Sequence, residues 1–102
     1  MSTFTERLKD ARKSAGLSQE RLGIEAGLEP ASASARMNQY EKGVHHPGES
    51  TVQQIAAVLN LPAAFFYCED DDTAYLLQCF HCLKNDDRKQ VIELAESLAL
   101  RH

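Results

Sequence analysis

Three groups of side chains in this 102-residue chain are of a kind that could do chemistry. Two of them, Cys79-Phe80-His81-Cys82 with Cys68 and, elsewhere, the pair His45-His46, offer ligands for a metal. A tetrahedral site needs three or four converging ligands, however, and a helical Cys-x-x-Cys supplies two at most. With Leu76 and Leu83 on the same stretch, Cys79 and Cys82 are expected on an apolar, core-facing side of a helix, and no metal or other cofactor is expected. A rival reading makes Cys68, Cys79 and Cys82 a thiol or metal sensor. The third group lies between Ser32 and Lys42. If Met37 and Tyr40, three residues apart, face inward, then Ser32, Ser34, Ala35, Arg36, Asn38, Gln39 and Lys42 are left outside. Short, amide and cationic side chains of this kind recognise by hydrogen bonds and do not break bonds. No Ser/His/Asp constellation, paired carboxylates in an apolar pocket or phosphate-cradling glycine loop is visible, so an enzyme is not expected.

The elements that must position these groups follow from helical spacing of apolar residues: Phe4, Leu8, Ala11 and Ala15 in one segment, Val52, Ile55, Ala56 and Leu59 in another. The spacing predicts an all-α chain. A first helix over 3–15 stops at Gly16, and Ser18 restarts the chain as an N-cap, with Glu20 suited to the positive end of the dipole. The second helix ends near Ala26, before Gly27; the third covers 31–42 and ends at Gly43, which makes a helix-turn-helix candidate. A fourth is expected over 51–60, and Pro62 opens a short helix holding Phe65 and Phe66. Residues 68–72, with the run Glu69-Asp70-Asp71-Asp72, read as an acidic linker between a domain at 1–67 and a C-terminal pair of helices, 73–84 and 86–100, within 73–102. Leu8, Leu22, Ala26, Met37, Val52, Ile55 and Leu59 are the expected core.

Charge is unevenly spread. The net charge is −4, yet residues 1–50 hold seven Lys/Arg against seven Asp/Glu, and residues 51–102 hold four against eight. A phosphate-facing surface has room only on the first half. Three cysteines are too few and odd for a disulfide framework, no window approaches a membrane span, and the N-terminus lacks a signal-peptide layout, so a cytoplasmic protein with free thiols is expected.

The segment Arg12-Lys13-Ser14-Ala15-Gly16-Leu17-Ser18-Gln19-Glu20-Arg21-Leu22, then Ala26-Gly27, Gln39-Tyr40-Glu41-Lys42-Gly43 and Pro47, resembles the phage-repressor/Cro-like (XRE-type) helix-turn-helix transcriptional regulators, over about residues 4–66. The resemblance implies a five-helix repressor-like domain followed by the two C-terminal helices. It implies that Arg12 and Glu41 form a salt bridge tying the first helix to the end of the third. It places Gln19 as a phosphate contact, its backbone N–H pointing out of a helix N-terminus. The third helix then lies in a major groove, with Ser34 and Ala35 near a base edge or thymine methyl and Gln39 paired with adenine. Arg36 takes guanine or phosphate, and Asn38 and Lys42 the backbone. Two departures stand out: Gly23 occupies a position where the family usually has Ala, and the thirteen residues between Gly27 and Glu41 exceed the commonest family spacing.

The C-terminal helices carry more apolar surface than one small pair can hide. Leu76, Leu77, Phe80, Leu83, Val91, Leu94 and Leu98 are therefore expected at a two-fold dimer interface. The expected partner is an operator in double-stranded DNA, bound by a homodimer acting as a repressor, with no small-molecule ligand. The alternative is a protein-interaction module of the same fold, an antitoxin or adaptor.

Overall fold

The computed structural model describes residues 2–101. Six α-helices and one 3₁₀ turn make up the described chain: α1 (Thr3–Ser14), α2 (Gln19–Glu25), α3 (Ala33–Lys42), α4 (Glu49–Leu59), the 3₁₀ turn Ala63–Tyr67, α5 (Asp71–His81) and α6 (Asn85–Ala99). Side-chain caps start three of the helices. Ser2 accepts from the Thr5 N–H at 3.3 Å and Ser18 from the Arg21 N–H at 3.0 Å. Asp70 accepts from both the Thr73 hydroxyl (2.7 Å) and the Thr73 N–H (2.8 Å). Those two bonds hold the Asp70 carboxyl below the usual aspartate value, because they favour its charged form. At the other end of a helix, Gly43 closes α3 in the left-handed region at φ 76°, where a side chain would be strained.

One core joins α1–α4 and the 3₁₀ turn. Leu8, Leu22, Met37, Ile55 and Phe66 are fully enclosed, each side chain contributing about 1.5–3 kcal/mol by leaving water. Phe4, Ala26, Ala33, Tyr40, Val52 and Phe65 surround them. Leu59, expected in the core, is only partly buried at its rim. His46 lies edge-on to the Phe4 ring at 4.6 Å and within 3.1 Å of the Tyr67 hydroxyl, so one of the paired histidines is held in an aromatic cluster.

Several boundaries differ from those read in the sequence. Residues before Ala33 form turns, the Ser32 N–H bonding to the Glu29 carbonyl at 3.0 Å and the Leu28 N–H to the Gly23 carbonyl at 2.9 Å, so α3 starts two residues late. Helix α4 begins two residues early, behind Gly48. The expected acidic linker is largely helix: Asp70 is the N-cap of α5 and Asp71 and Asp72 its first turn, where carboxylates suit the helix dipole. Helix α5 also ends earlier, at His81.

Ala74 is the last residue of the buried core, and α6 has no buried residue. Helix α6 leaves the corner at Leu83–Lys84 without lying along α5. The radius of gyration is accordingly 15.6 Å, and the long dimension 52 Å, against about 13 Å for a compact chain of this length. This corrects the expectation for the cysteines: Cys79 and Cys82 are exposed, and the Cys82 thiol meets only the Asn60 amide, at 3.8 Å, in hydrogen bonding among the described residues. No helix among the described residues is long and apolar enough to cross a membrane.

Candidate nucleic-acid interface

Arg12 and Glu41 meet across α1 and α3. The Arg12 Nε lies 2.5 Å from one Glu41 oxygen and Nη2 3.1 Å from the other, while Nη1 donates to the Leu17 carbonyl at 2.9 Å. The side chains are 13% and 4% exposed, so both charges are largely out of water. Gln19, at the start of α2, adds a third contact: its Nε2 donates to Glu41 Oε1 at 3.1 Å and to Asn38 Oδ1 at 3.2 Å. Among the described residues no buried side-chain polar atom is left without a partner. A buried pair of this kind adds little net stability, because desolvation offsets the attraction, but losing one partner leaves the other charge uncompensated. Here it sets the attitude of α3 against α1 and α2.

Helix α3 buries Ala33, Met37, Tyr40 and Glu41 and leaves Ser34, Ala35, Arg36 and Lys42 exposed, with Asn38 and Gln39 partly buried. Its outer face is thus lined at the start by a hydroxyl and a methyl and further along by amides and cations. The Arg36 guanidinium is laid along the helix, donating to the Tyr40 hydroxyl at 3.0 Å. The side chains of Gln19 and Asn38 bond to each other.

A shallow groove of about 600 Å³ runs between α1, the start of α2 and the end of α3. Lys9, Lys13 and Lys42 line it together with Ser18, Gln19 and Asn38. Lys9 and Lys13 were not singled out from the sequence. Their signal was the four-residue spacing that puts both on the side of α1 that also carries Arg12. The residues expected at a dimer face divide: Leu76, Leu94 and Leu98 are exposed, and Leu77, Phe80, Leu83 and Val91 are partly buried.

The helix-turn-helix family model matches residues 8–66, which contain every residue of the groove. The chain belongs to the helix-turn-helix family. The resemblance carried by residues 12–47 to Cro/repressor-like regulators therefore holds. An uncharacterized HTH-type transcriptional regulator of Sinorhizobium medicae (strain WSM419) is 36% identical to this helix-turn-helix chain over 61 residues, 60% of this chain and 41% of that protein. The uncharacterized HTH-type transcriptional regulator R00410 of Rhizobium meliloti (strain 1021) matches with the same figures. The helix-turn-helix chain thus spans 41% of the length of these curated relatives. The crystal structure of the transcriptional regulator BswR is similar along the whole of both chains, with a TM-score of 0.86 and 41% identity. That likeness includes α5 and α6, beyond the family segment, and the all-α class read from the sequence stands with it.

Proposed function

We propose that this helix-turn-helix chain is a sequence-specific regulator of transcription that binds double-stranded DNA. Two copies place α3 in successive major grooves about 34 Å apart on a pseudo-palindromic operator. The observation that carries the reading is the bracing of α3 by the buried Arg12–Glu41–Gln19 contacts, with a face of small, amide and cationic side chains turned outward. A helix held in one attitude can present base-reading groups without losing the ordering entropy on contact.

In this reading Ser34 and Ala35 allow close approach to base edges, Gln39 pairs with adenine, and Arg36 leaves Tyr40 to take guanine or phosphate. Asn38, Lys42 and Gln19 meet the DNA backbone, joined by Lys9 and Lys13. Leu76, Leu77, Phe80, Leu83, Val91, Leu94 and Leu98 form the homodimer face, and the protein works in the cytoplasm as a repressor, since occupying an operator blocks polymerase without a further surface. The exposed arm also supports a second reading, a protein-interaction module that kept the fold without the DNA surface.

Selection from random double-stranded DNA with the wild-type chain and with Gln39→Ala/Arg36→Ala separates the two. The operator reading expects a palindrome that the double variant loses. No enrichment at low salt favours the interaction module.

A further inference from the structure

Two arginines at the corners of the C-terminal arm make the same unusual contact. Arg7 of α1 donates from Nε to the Cys68 carbonyl at 2.9 Å and from Nη2 to the Glu69 carbonyl at 3.1 Å, with its guanidinium 5.7 Å from the centre of the Phe65 ring. Arg88 of α6 donates from Nε to the Phe80 carbonyl at 3.1 Å and from Nη2 to the His81 carbonyl at 3.1 Å, with its guanidinium 4.9 Å from the centre of the Phe80 ring. Each fork thus grips two consecutive carbonyls beside an aromatic ring. One stands where the chain leaves the DNA-reading head, the other where α5 turns into α6.

The physical effect of each is rigidity at a corner. A planar guanidinium bonded to two successive carbonyls fixes the orientation of that peptide in a way a single hydrogen bond does not. Arg7 also pairs with Asp71 at 3.0 Å, but Asp71 is exposed and an exposed pair contributes little, so the carbonyl grip carries the effect. Glu6, Asp10 and Glu69 surround the same spot, and without Arg7 their carboxylates would repel the start of α5 from α1. Arg88 adds a second donor at the Phe80 carbonyl, which also accepts from the Leu83 N–H at 3.1 Å, bonds the His81 carbonyl, and places a cation at the negative end of the α5 dipole. Its two bonds are the side-chain hydrogen bonds that join α6 to α5 among the described residues.

We propose that Arg7 and Arg88 are positioning residues that set the distance and rotation between the two reading heads of a dimer, and so select the half-site spacing of the operator. The inference rests on the dimeric operator reading above. Adding one base pair between half-sites moves them apart by about 3.4 Å and rotates one against the other by about 35°. An arm with both corners locked matches one spacing; an arm with a loose corner reaches the neighbouring ones as well.

The test is a library of fixed half-sites separated by lengths that differ in single base pairs, bound by the wild-type chain, Arg7→Met and Arg88→Met. Methionine keeps an apolar stem on the phenylalanine while removing the fork. The wild type is expected to prefer one spacing over its neighbours by on the order of tenfold, and each variant to bring the neighbours within about threefold, with the half-site sequence unchanged. A merely destabilised protein would bind all spacings less without changing their ratio. Variants that keep the wild-type ratio, or a wild type that takes adjoining spacings equally, overturn the inference and leave the operator reading standing. A wild type that enriches no palindrome overturns both. Where a methionine variant does not fold, the Arg→Lys variant at that position keeps the cation but lacks the planar fork, and is scored by the same ratio.

Discussion

Gly23 and Ala33 face each other where α2 meets the start of α3, so closely that a β-carbon on residue 23 would stand 3.0 Å from both the methyl carbon and the carbonyl oxygen of Ala33. The glycine that departs from the usual alanine and the lengthened turn before α3 are therefore one feature, since the turn delivers Ala33 onto the place an alanine side chain would fill. Gly23→Ala should gain about 1 kcal/mol of helix propensity and lose more to overpacking against a backbone atom that cannot rotate away, a net loss of about 1–2 kcal/mol. Urea unfolding checks it through the midpoint. Adding Ala33→Gly should restore only part of the loss, because the carbonyl stays.

Breaking the Arg12–Glu41 pair from one side is expected to be costly. Arg12→Met leaves a nearly enclosed carboxylate with only the Gln19 amide as donor, and should destabilise the fold by about 3–5 kcal/mol. Arg12→Met/Glu41→Leu should unfold close to the wild-type denaturant concentration while binding operator more weakly, as α3 loses the contact that sets its attitude. Equal affinity for the wild type and the double variant would remove the pair from recognition.

Lysines along the groove should act through charge alone. Lys13→Gln is expected to weaken binding to specific and random DNA alike, and to lower the slope of log affinity against log salt by about 0.9. A titration at several salt concentrations measures both. An unchanged slope would place Lys13 away from the phosphates.

The cap of α5 titrates. The Asp70 carboxyl is held below its usual value by the Thr73 hydroxyl and then the Thr73 N–H, so its stabilisation is fully present above the unfolded aspartate value and is lost as pH falls through the lower, folded one. Hydrogen exchange at the Thr73 amide should be slow in the wild type at neutral pH and fast in Asp70→Ala. The two should converge in acid, once the pH falls through the lowered carboxyl value. Asp70→Asn, which keeps a capping oxygen, should lose the pH dependence while keeping protection.

Much of the head was legible because its signals are local. Gly16, Gly27 and Gly43 mark helix ends and do lie at positive φ, and Ser18 caps α2. Arg12, Glu41 and Gln19 sat inside a motif of fixed spacing. The start of α3 was not legible: Ser32 precedes it without a side-chain cap bond, so Pro30, Ala31 and Ser32 could as well open a helix as form a turn. Cys79 and Cys82 were misplaced because an apolar stripe marks a face that gains by leaving water, not one that the fold of the same chain covers. Arg7 and Arg88 gave no sign, for their partners are backbone carbonyls, which every residue has, and those of Arg7 lie 61 and 62 positions away.

Because the buried core ends at Ala74, the head and the arm answer to different variables. The head holds its order through contacts within one chain, and dilution leaves it untouched. A fifteen-residue helix with no buried side chain is marginal on its own in water, so in the dimeric reading proposed above the order of α6 depends on how often two copies meet. On that reading, cell growth and division, by changing the number of copies in a given volume, would alter the arm and spare the head, and a protease that samples frayed ends would remove solitary chains first.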